Sequence, residues 1–248
     1  MPDDGDAIRL RGNKPRLLRP WELGAVPSHV ISRLGRLLVH RIAVGHSDVT
    51  GDDFATMLSF AMEGEHRPSP LGLSDVVREG NSWSAKTVKN VRPFEVQTIR
   101  LIMGRNSPIY SSGITDPFSN VQATGSAVLG IWNERVNESL AAHNTLGIIV
   151  LVRNMETREF LLFEEDAILY PVGNYKWQVN DRNNLEGYDV STQRHVFTWQ
   201  PHGGQLTIIA HVPGSAIKFR ITRNPPIITE DQVLDQIGYS DDWVEIVN

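Results

Sequence analysis

The sequence predicts an α+β fold, a mixed central β-sheet flanked by helices with a β-rich C-terminal part. Three observations carry this. Apolar residues recur at three- and four-residue spacing in separate segments up to residue 143. A fully apolar run, LGIIVLVR at residues 146–153, has the character of a buried central strand covered on both faces. After Tyr170 the chain breaks into short β-prone runs separated by turn residues.

Taken in order, residues 26–44 (VPSHVISRLGRLLVHRIAV) gather their apolar side chains on one helical face. A second helix is expected from Thr50-Gly51-Asp52-Asp53, with Phe54, Met57, Leu58 and Ala61 on one side, Glu63 near its end, and Pro68 and Pro70 closing it. Residues 73–79 and 82–89 read as two strands joined by a Gly80-Asn81 turn. Residues 93–103 (PFEVQTIRLIM) are predicted helical, with proline in the first turn. A long polar loop, 104–120, leads to a helix over 125–143 whose apolar face holds Val128, Leu129, Trp132, Val136 and Leu140. The run at 146–153 should pair with 160–163 through the turn at 154–157. Further strands are expected at 175–179, 196–200, 206–212 and 216–221, with Gly203-Gly204 as a hairpin turn, before a short acidic helix at 229–237. This divides the chain into a basic arm and helix (1–48), a core (49–170) and a β-rich C-terminal subregion (171–248), continuous enough to form one domain.

Composition narrows the function. At 248 residues the chain can bury a substantial core. No apolar run approaches the roughly 18 residues of a membrane-spanning helix, and the N-terminus lacks the apolar stretch of a secretory signal. There are no cysteines, which excludes disulfides, thiolate zinc sites and cysteine nucleophiles and suits a cytoplasmic protein. The net charge of −5 argues against non-specific coating of nucleic acid, but it is unevenly spread. Residues 1–100 hold 14 Lys/Arg against 12 Asp/Glu, and residues 101–248 hold 10 against 17. The basic part, Arg9 to Arg41, can still track phosphates, because attraction follows the local field. The histidines show no HxxxH spacing, and neither G-x-S-x-G nor GxxxxGK[ST] is present.

The chemistry-bearing stretch is LSDVV at residues 73–77 followed by WSAKT at residues 83–87. Asp75 and Lys86, if side by side on adjacent strands, would form the core of a metal-dependent phosphodiester-cleaving site. The carboxylate holds a divalent cation, and the ammonium steadies the attacking water and the phosphate charge. Strand alternation puts Lys86 on a face with Ser84 and Val88, and Trp83, Ala85 and Thr87 on the other.

The order helix, strand with Asp75, strand with Ser84-Ala85-Lys86, helix, buried strand resembles the core of the PD-(D/E)XK nuclease superfamily and, within it, the type II restriction endonucleases. The resemblance covers residues 50 to 153. It implies a restriction-endonuclease-like core, Mg²⁺ as cofactor, double-stranded DNA as substrate, a possible homodimer, and a cognate methyltransferase acting on the same DNA site. One position departs from the family pattern: Ser84 stands where an acid is usual two residues before the lysine. Some restriction enzymes resembling this pattern draw the second metal-binding carboxylate from a neighbouring helix, and here Glu95 or, less favoured, Glu63 would supply it. The Ser84 hydroxyl could assist a metal-bound water. Sequence reading would fall to groove-facing arginines and amides. The candidates are Arg105 and Asn106 at the start of the long loop, and Lys176, Arg182, Asn183 and Arg194 in the amide-rich stretch 175–194. The same resemblance leaves two alternatives open, a repair or modification-dependent endonuclease and a non-catalytic DNA-binding protein.

Overall fold

The computed structural model describes residues 19–68 and 72–247. The basic positions Arg9, Arg11, Lys14 and Arg16, together with Pro70, lie outside the described residues. Helix α1 (Ser28–Ala43) buries Val30, Leu34 and Leu38 on one stripe. Helix α2 (Gly51–Met62) begins in the expected place because Thr50 and Asp53 form a reciprocal capping box that satisfies its first free amides. It ends at Glu63, held left-handed at φ 57°, before the prolines are reached. The short strand β1 (Glu65–His66) follows, then β2 (Val76–Arg78) and β3 (Asn81–Lys89). The β2–β3 turn is Glu79-Gly80, both at positive φ, one residue earlier than the sequence suggested, so Asn81 already belongs to β3.

The helix predicted over residues 93–103 is not formed. Residues 93–95 make a turn, and β4 (Thr98–Arg105) takes the second half of that window. Ile99, Leu101 and Met103 point inward while Thr98, Arg100 and Ile102 point out, the period of a strand. The polar loop holds a short helix α3 (Pro108–Ser112), and α4 (Val121–Ala142) buries Val128, Leu129, Trp132 and Val136. Strand β5 (Leu146–Asn154) is buried at every position, as the apolar run required, and β6 (Glu159–Asp166) returns beside it. Then come β7 (Tyr175–Val179), β8 (Leu185–Asp189), β9 (His195–Gln200), β10 (Gln205–His211), β11 (Ile217–Arg220) and α5 (Glu230–Ile237).

Two sheets result, in the orders β1-β2-β3-β5-β6-β11 and β4-β10-β9-β8-β7. In the first sheet β3 and β5 are parallel and all other pairs antiparallel, so β4, α3 and α4 form the crossover between them. The fold is therefore α+β with a β-rich C-terminal part. The boundary expected at residue 170 does not separate two units: β4 pairs with β10 in the second sheet, and β11 returns to pair with β6 in the first. One core lies on the α1 and α2 side of the first sheet, around Phe54, Leu58, Trp83 and Phe160. A second joins its other face to α4 and the inner face of the second sheet, around Trp132, Phe163, Phe197 and Trp199. Among the described residues no helix is long and apolar enough to cross a membrane.

Two glutamates next to each other on β6 have opposite fates. Glu164 is buried and satisfied, accepting hydrogen bonds from Trp83 Nε1 at 2.7 Å and Trp21 Nε1 at 2.8 Å beneath the stacked indoles. Glu165 faces the other side, near Tyr170, and burial pushes its pKa up from 4.5 to about 7. Native Glu165 thus keeps a proton that the unfolded chain has lost, and this contribution to stability falls as pH rises from about 4.5 through about 7. At about 1.4 kcal/mol per pH unit, reduced for partial exposure, Glu165→Gln is expected to gain about 1–2 kcal/mol over the parent at pH 8 and nothing at pH 4. Urea unfolding at the two pH values checks it, and equal gains would contradict it.

Candidate functional site

The site exists because β2 starts late. β2 pairs with β3 from Val76↔Trp83 onward, and before Val76 the chain swings away to run past β1. The β3 amide of Ala85 would otherwise lack a ladder partner on that side. The Asp75 carboxylate takes its place, accepting from Ala85 N at 2.9 Å and from the Ser84 hydroxyl at 3.1 Å, both on Oδ2. Lys86 Nζ lies 3.9 Å from the same oxygen. The structure thus brings Asp75, Ser84 and Lys86 together, with Lys86 on the face opposite Trp83 and Ala85.

Both charged side chains are four-fifths covered. Burial pulls the Lys86 pKa down, the Asp75 charge opposes this, and the nearby Arg135 guanidinium adds to the fall. Arg135, on α4, is also pulled down by burial and held up by Asp75. It donates to the carbonyl of Met103 at 3.2 Å and to Asn106 Oδ1 at 3.0 Å. Gly104, at φ 109°, leaves room for it: a Cβ there would sit 3.2 Å from both terminal guanidinium nitrogens. Nothing in the local sequence singled out Arg135, which lies on a helix read only for its apolar face.

A cavity of about 360 Å³ opens beside Asp75 and Lys86, bounded by Gly51, Asp52, Ala55 and His66. The N-terminal turn of α2 therefore forms one wall and carries the Asp52 carboxylate into it. His66 Nδ1 is 3.2 Å from the Thr56 hydroxyl, and its Nε2 is 3.7 Å from Asp52 Oδ1. Asp52 and His66 were not singled out by the sequence; the signal for Asp52 was its place in the capped first turn of a helix preceding the site.

The second carboxylate is not where it was sought. Glu95 is exposed in the turn 93–95, paired with Arg92 at 3.2 Å, not on a helix. Its neighbour Phe94 accepts a hydrogen bond from Lys218 on β11, the sheet edge opposite β1 and β2. Glu63 caps α2 and is bound to Arg33 at 2.6 Å, away from the cavity. Neither joins Asp75. Among the described residues no three acidic or histidine side chains converge as a ready-made cage. A magnesium ion commonly uses one or two carboxylates and completes its shell with water and substrate phosphate. The residues present fit that mode: the Asp75 contacts all fall on Oδ2, which leaves Oδ1 for the cation, and Asp52 faces the same cavity.

The DNA-reading candidates divide. Arg105, Lys176, Arg182, Asn183 and Arg194 are exposed, at the end of β4, on β7 and in the β7–β8 and β8–β9 turns. Asn106 is fully buried and structural: its amide donates to the Val128 carbonyl, its Oδ1 accepts from Arg135, and its carbonyl accepts from Trp199. The amide-rich stretch 175–194 is a strand pair, not a loop, and part of its polarity builds turns. Asn180 Oδ1 accepts from the amides of Arg182 and Asn184, and Asp189 caps the next turn through Ser191 and Thr192.

No family model matches this chain, and no curated protein and no solved structure gives a significant match.

Proposed function

We propose that this protein is an Mg²⁺-dependent endodeoxyribonuclease that cleaves duplex DNA at a specific short sequence, a type II restriction endonuclease of PD-(D/E)XK kind. The observation that carries the reading is the 3.9 Å approach of Lys86 Nζ to Asp75 Oδ2 at the splayed mouth of β2 and β3, beside a helix terminus that brings Asp52 to the same cavity. The element order supports it: helix α2, three antiparallel strands, crossover helix α4, then β5 parallel to β3.

In this reading Asp75 and Asp52 hold the cation, which supplies charge neutralisation at the scissile phosphate. Lys86 donates hydrogen bonds to the attacking water and a non-bridging oxygen, where negative charge grows as the phosphorus–oxygen bond breaks. Arg135 supports the same field from behind, fixed by the Met103 carbonyl and Asn106. Ser84 positions Asp75 by donating to Oδ2 and is no substitute for an acid. Exposed Arg105, Lys176, Arg182, Asn183 and Arg194 supply contacts to DNA, and a methyltransferase of the same specificity protects the host site.

Plasmid incubated with Mg²⁺ tests the reading: discrete bands support a restriction enzyme, a smear supports a repair or modification-dependent nuclease, and intact plasmid with retained duplex binding supports a non-catalytic DNA-binding protein. Asp52→Asn is expected to slow cleavage about 10²-fold, the scale of losing one preorganised charged group. Glu63→Ala and Glu95→Ala are expected to stay within about twofold of the parent, as surface ion pairs contribute little. A large loss in Glu95→Ala with none in Asp52→Asn would reverse the assignment.

A further inference from the structure

The outward face of the second sheet carries a polar hollow whose central residues take no part in the proposed cleavage. Side chains alternate along its strands, so Ile99, Leu101, Leu185, Phe197 and Trp199 join the core while Arg100, Glu186 and Thr198 turn the other way. Arg100 stands on β4, and its guanidinium crosses β10 to donate to the Thr198 hydroxyl on β9 at 2.9 Å. Glu186, on β8, is the direct cross-strand partner of Thr198. Guanidinium and carboxylate are thereby delivered to one spot. A cavity of about 640 Å³ opens there, bounded by the β7–β8 turn at residues 180–184 and by Gln200.

Both groups are preorganised, and neither is used up. Glu186 Oε1 accepts from the Asn180 amide at 2.8 Å and Oε2 from the Tyr188 hydroxyl at 2.7 Å. Asn180 is held in turn by the backbone amides of Arg182 and Asn184, and Tyr188 by its stack on His195. Burial opposes the Glu186 charge, but those two hydrogen bonds, with His195 and Arg100 nearby, outweigh it and keep the carboxyl below its ordinary range. A carboxylate has about four lone-pair sites, so one on each oxygen remains for two donors side by side. Arg100 has five N–H donors and, among the described residues, spends one on Thr198.

An occupant must therefore bring two adjacent donors to Glu186 and an acceptor pair to Arg100. Guanine has the donors at N1–H and N2–H, and next to them O6 and N7, the pair that arginine takes with its fork. Adenine and cytosine carry a lone pair where guanine has N1–H, which the carboxylate repels. A guanine already paired in a duplex has no N1–H to offer, and a duplex groove is read by side chains standing out from a convex element, not lining a hollow. We infer that this hollow binds an unpaired guanine base, with Glu186 accepting from N1–H and N2–H and Arg100 donating to O6 and N7. Asp181 and Arg182 flank the mouth with opposite charges, so selectivity falls to the base. A free guanine nucleotide and an unpaired guanine in a DNA strand present the same edge. No residue of the hollow lines the Asp75–Lys86 cavity, so guanine binding and cleavage are separable.

Titration calorimetry of the full chain in EDTA with GMP, IMP, AMP and CMP tests it. GMP should bind at least about tenfold more tightly than AMP or CMP, the scale of hydrogen bonds to charged groups, and IMP, which lacks the 2-amino group, should fall between. Glu186→Gln and Arg100→Met should each weaken GMP binding at least about tenfold and leave AMP binding unchanged. Urea unfolding midpoints matching the parent's show that these variants fold. A short thymine strand with one central guanine, set against the same strand without it, separates the two sources. Tighter binding than GMP points to a DNA strand, and weaker binding points to the free nucleotide. Equal affinities for the four nucleotides, GMP binding indifferent to both substitutions, or no saturation by millimolar GMP overturns the inference. Plasmid cleavage in Mg²⁺ is read in parallel. Cutting without guanine binding removes this site alone, and guanine binding without cutting removes the nuclease reading alone.

Discussion

Asp75→Asn is expected to lower DNA cleavage by at least about 10³-fold while leaving the fold and duplex binding in Ca²⁺ intact. The amide keeps a carbonyl oxygen able to accept from Ala85 N and the Ser84 hydroxyl, so the mouth of β2 and β3 stays shaped. What is lost is the charge that attracts the cation and balances Lys86 and Arg135. Asp75→Ala removes the acceptor too. It leaves the Ala85 amide without that acceptor and Lys86 without the carboxylate beside it, so about 1–3 kcal/mol of stability should go with the activity. Lys86→Met should cost about 10²–10³-fold in rate and little stability, because Asp75 keeps its hydrogen bonds from Ala85 N and the Ser84 hydroxyl and the field of Arg135, while the desolvation of the ammonium is relieved. Plasmid cleavage and urea unfolding of the three variants separate chemistry from scaffold. Cutting by Asp75→Asn at the parental rate would remove the site from consideration.

The pairing of Asp75 with Lys86 was legible because it rests on local rules. A hairpin with a glycine in its turn fixes which strand residues face each other, and alternation fixes which side Lys86 takes. A one-residue error in the turn did not matter, since Asp75 lies before the paired part of β2 and reaches β3 through its side chain. The rest of the site depends on contacts far apart in the chain. Asp52 reaches the cavity only because α2 packs across β3, and Arg135 only because α4 crosses behind it. Glu95 was chosen for its nearness in sequence to Lys86, together with a helix that does not form. The window 93–103 satisfies both periods: Val96, Ile99 and Met103 fit a helix, whereas Ile99, Leu101 and Met103 fit a strand. The arbiter is β10, about a hundred residues later, which pairs with β4 along its whole length. Asn106 was misread for a related reason. A polar side chain in a polar loop looks like a reader of DNA until the fold shows its amide spent on Val128 and Arg135.

A tight junction between α4 and the second sheet gives the largest expected effect on stability. Gly125 lies on the face of α4 that meets β7, and a Cβ at this position would fall 2.2 Å from Cγ and Cδ2 of Trp177. That indole is buried and stacked on Phe197 with centroids 5.9 Å apart, so it has no open direction in which to move. Alanine ordinarily strengthens a helix by about 1 kcal/mol over glycine. Here the methyl group must push α4 off the second sheet, and overpacking of a close-packed core typically costs about 1–3 kcal/mol and at times more. Gly125→Ala should therefore destabilise by about 2–3 kcal/mol. Gly130, five residues along the same helix, is exposed and has nothing within 4 Å of a built Cβ, so Gly130→Ala should stabilise by about 0.5–1 kcal/mol. Trimming the indole in Gly125→Ala/Trp177→Leu should recover part of the loss attributable to the clash, a non-additive pair as expected for residues in contact. Urea unfolding of the parent, Gly125→Ala, Gly130→Ala, Trp177→Leu and the double variant reads this directly. Equal effects of alanine at positions 125 and 130 would mean that α4 does not press on Trp177, and the second sheet would then not be braced against the helix that carries Arg135 into the site.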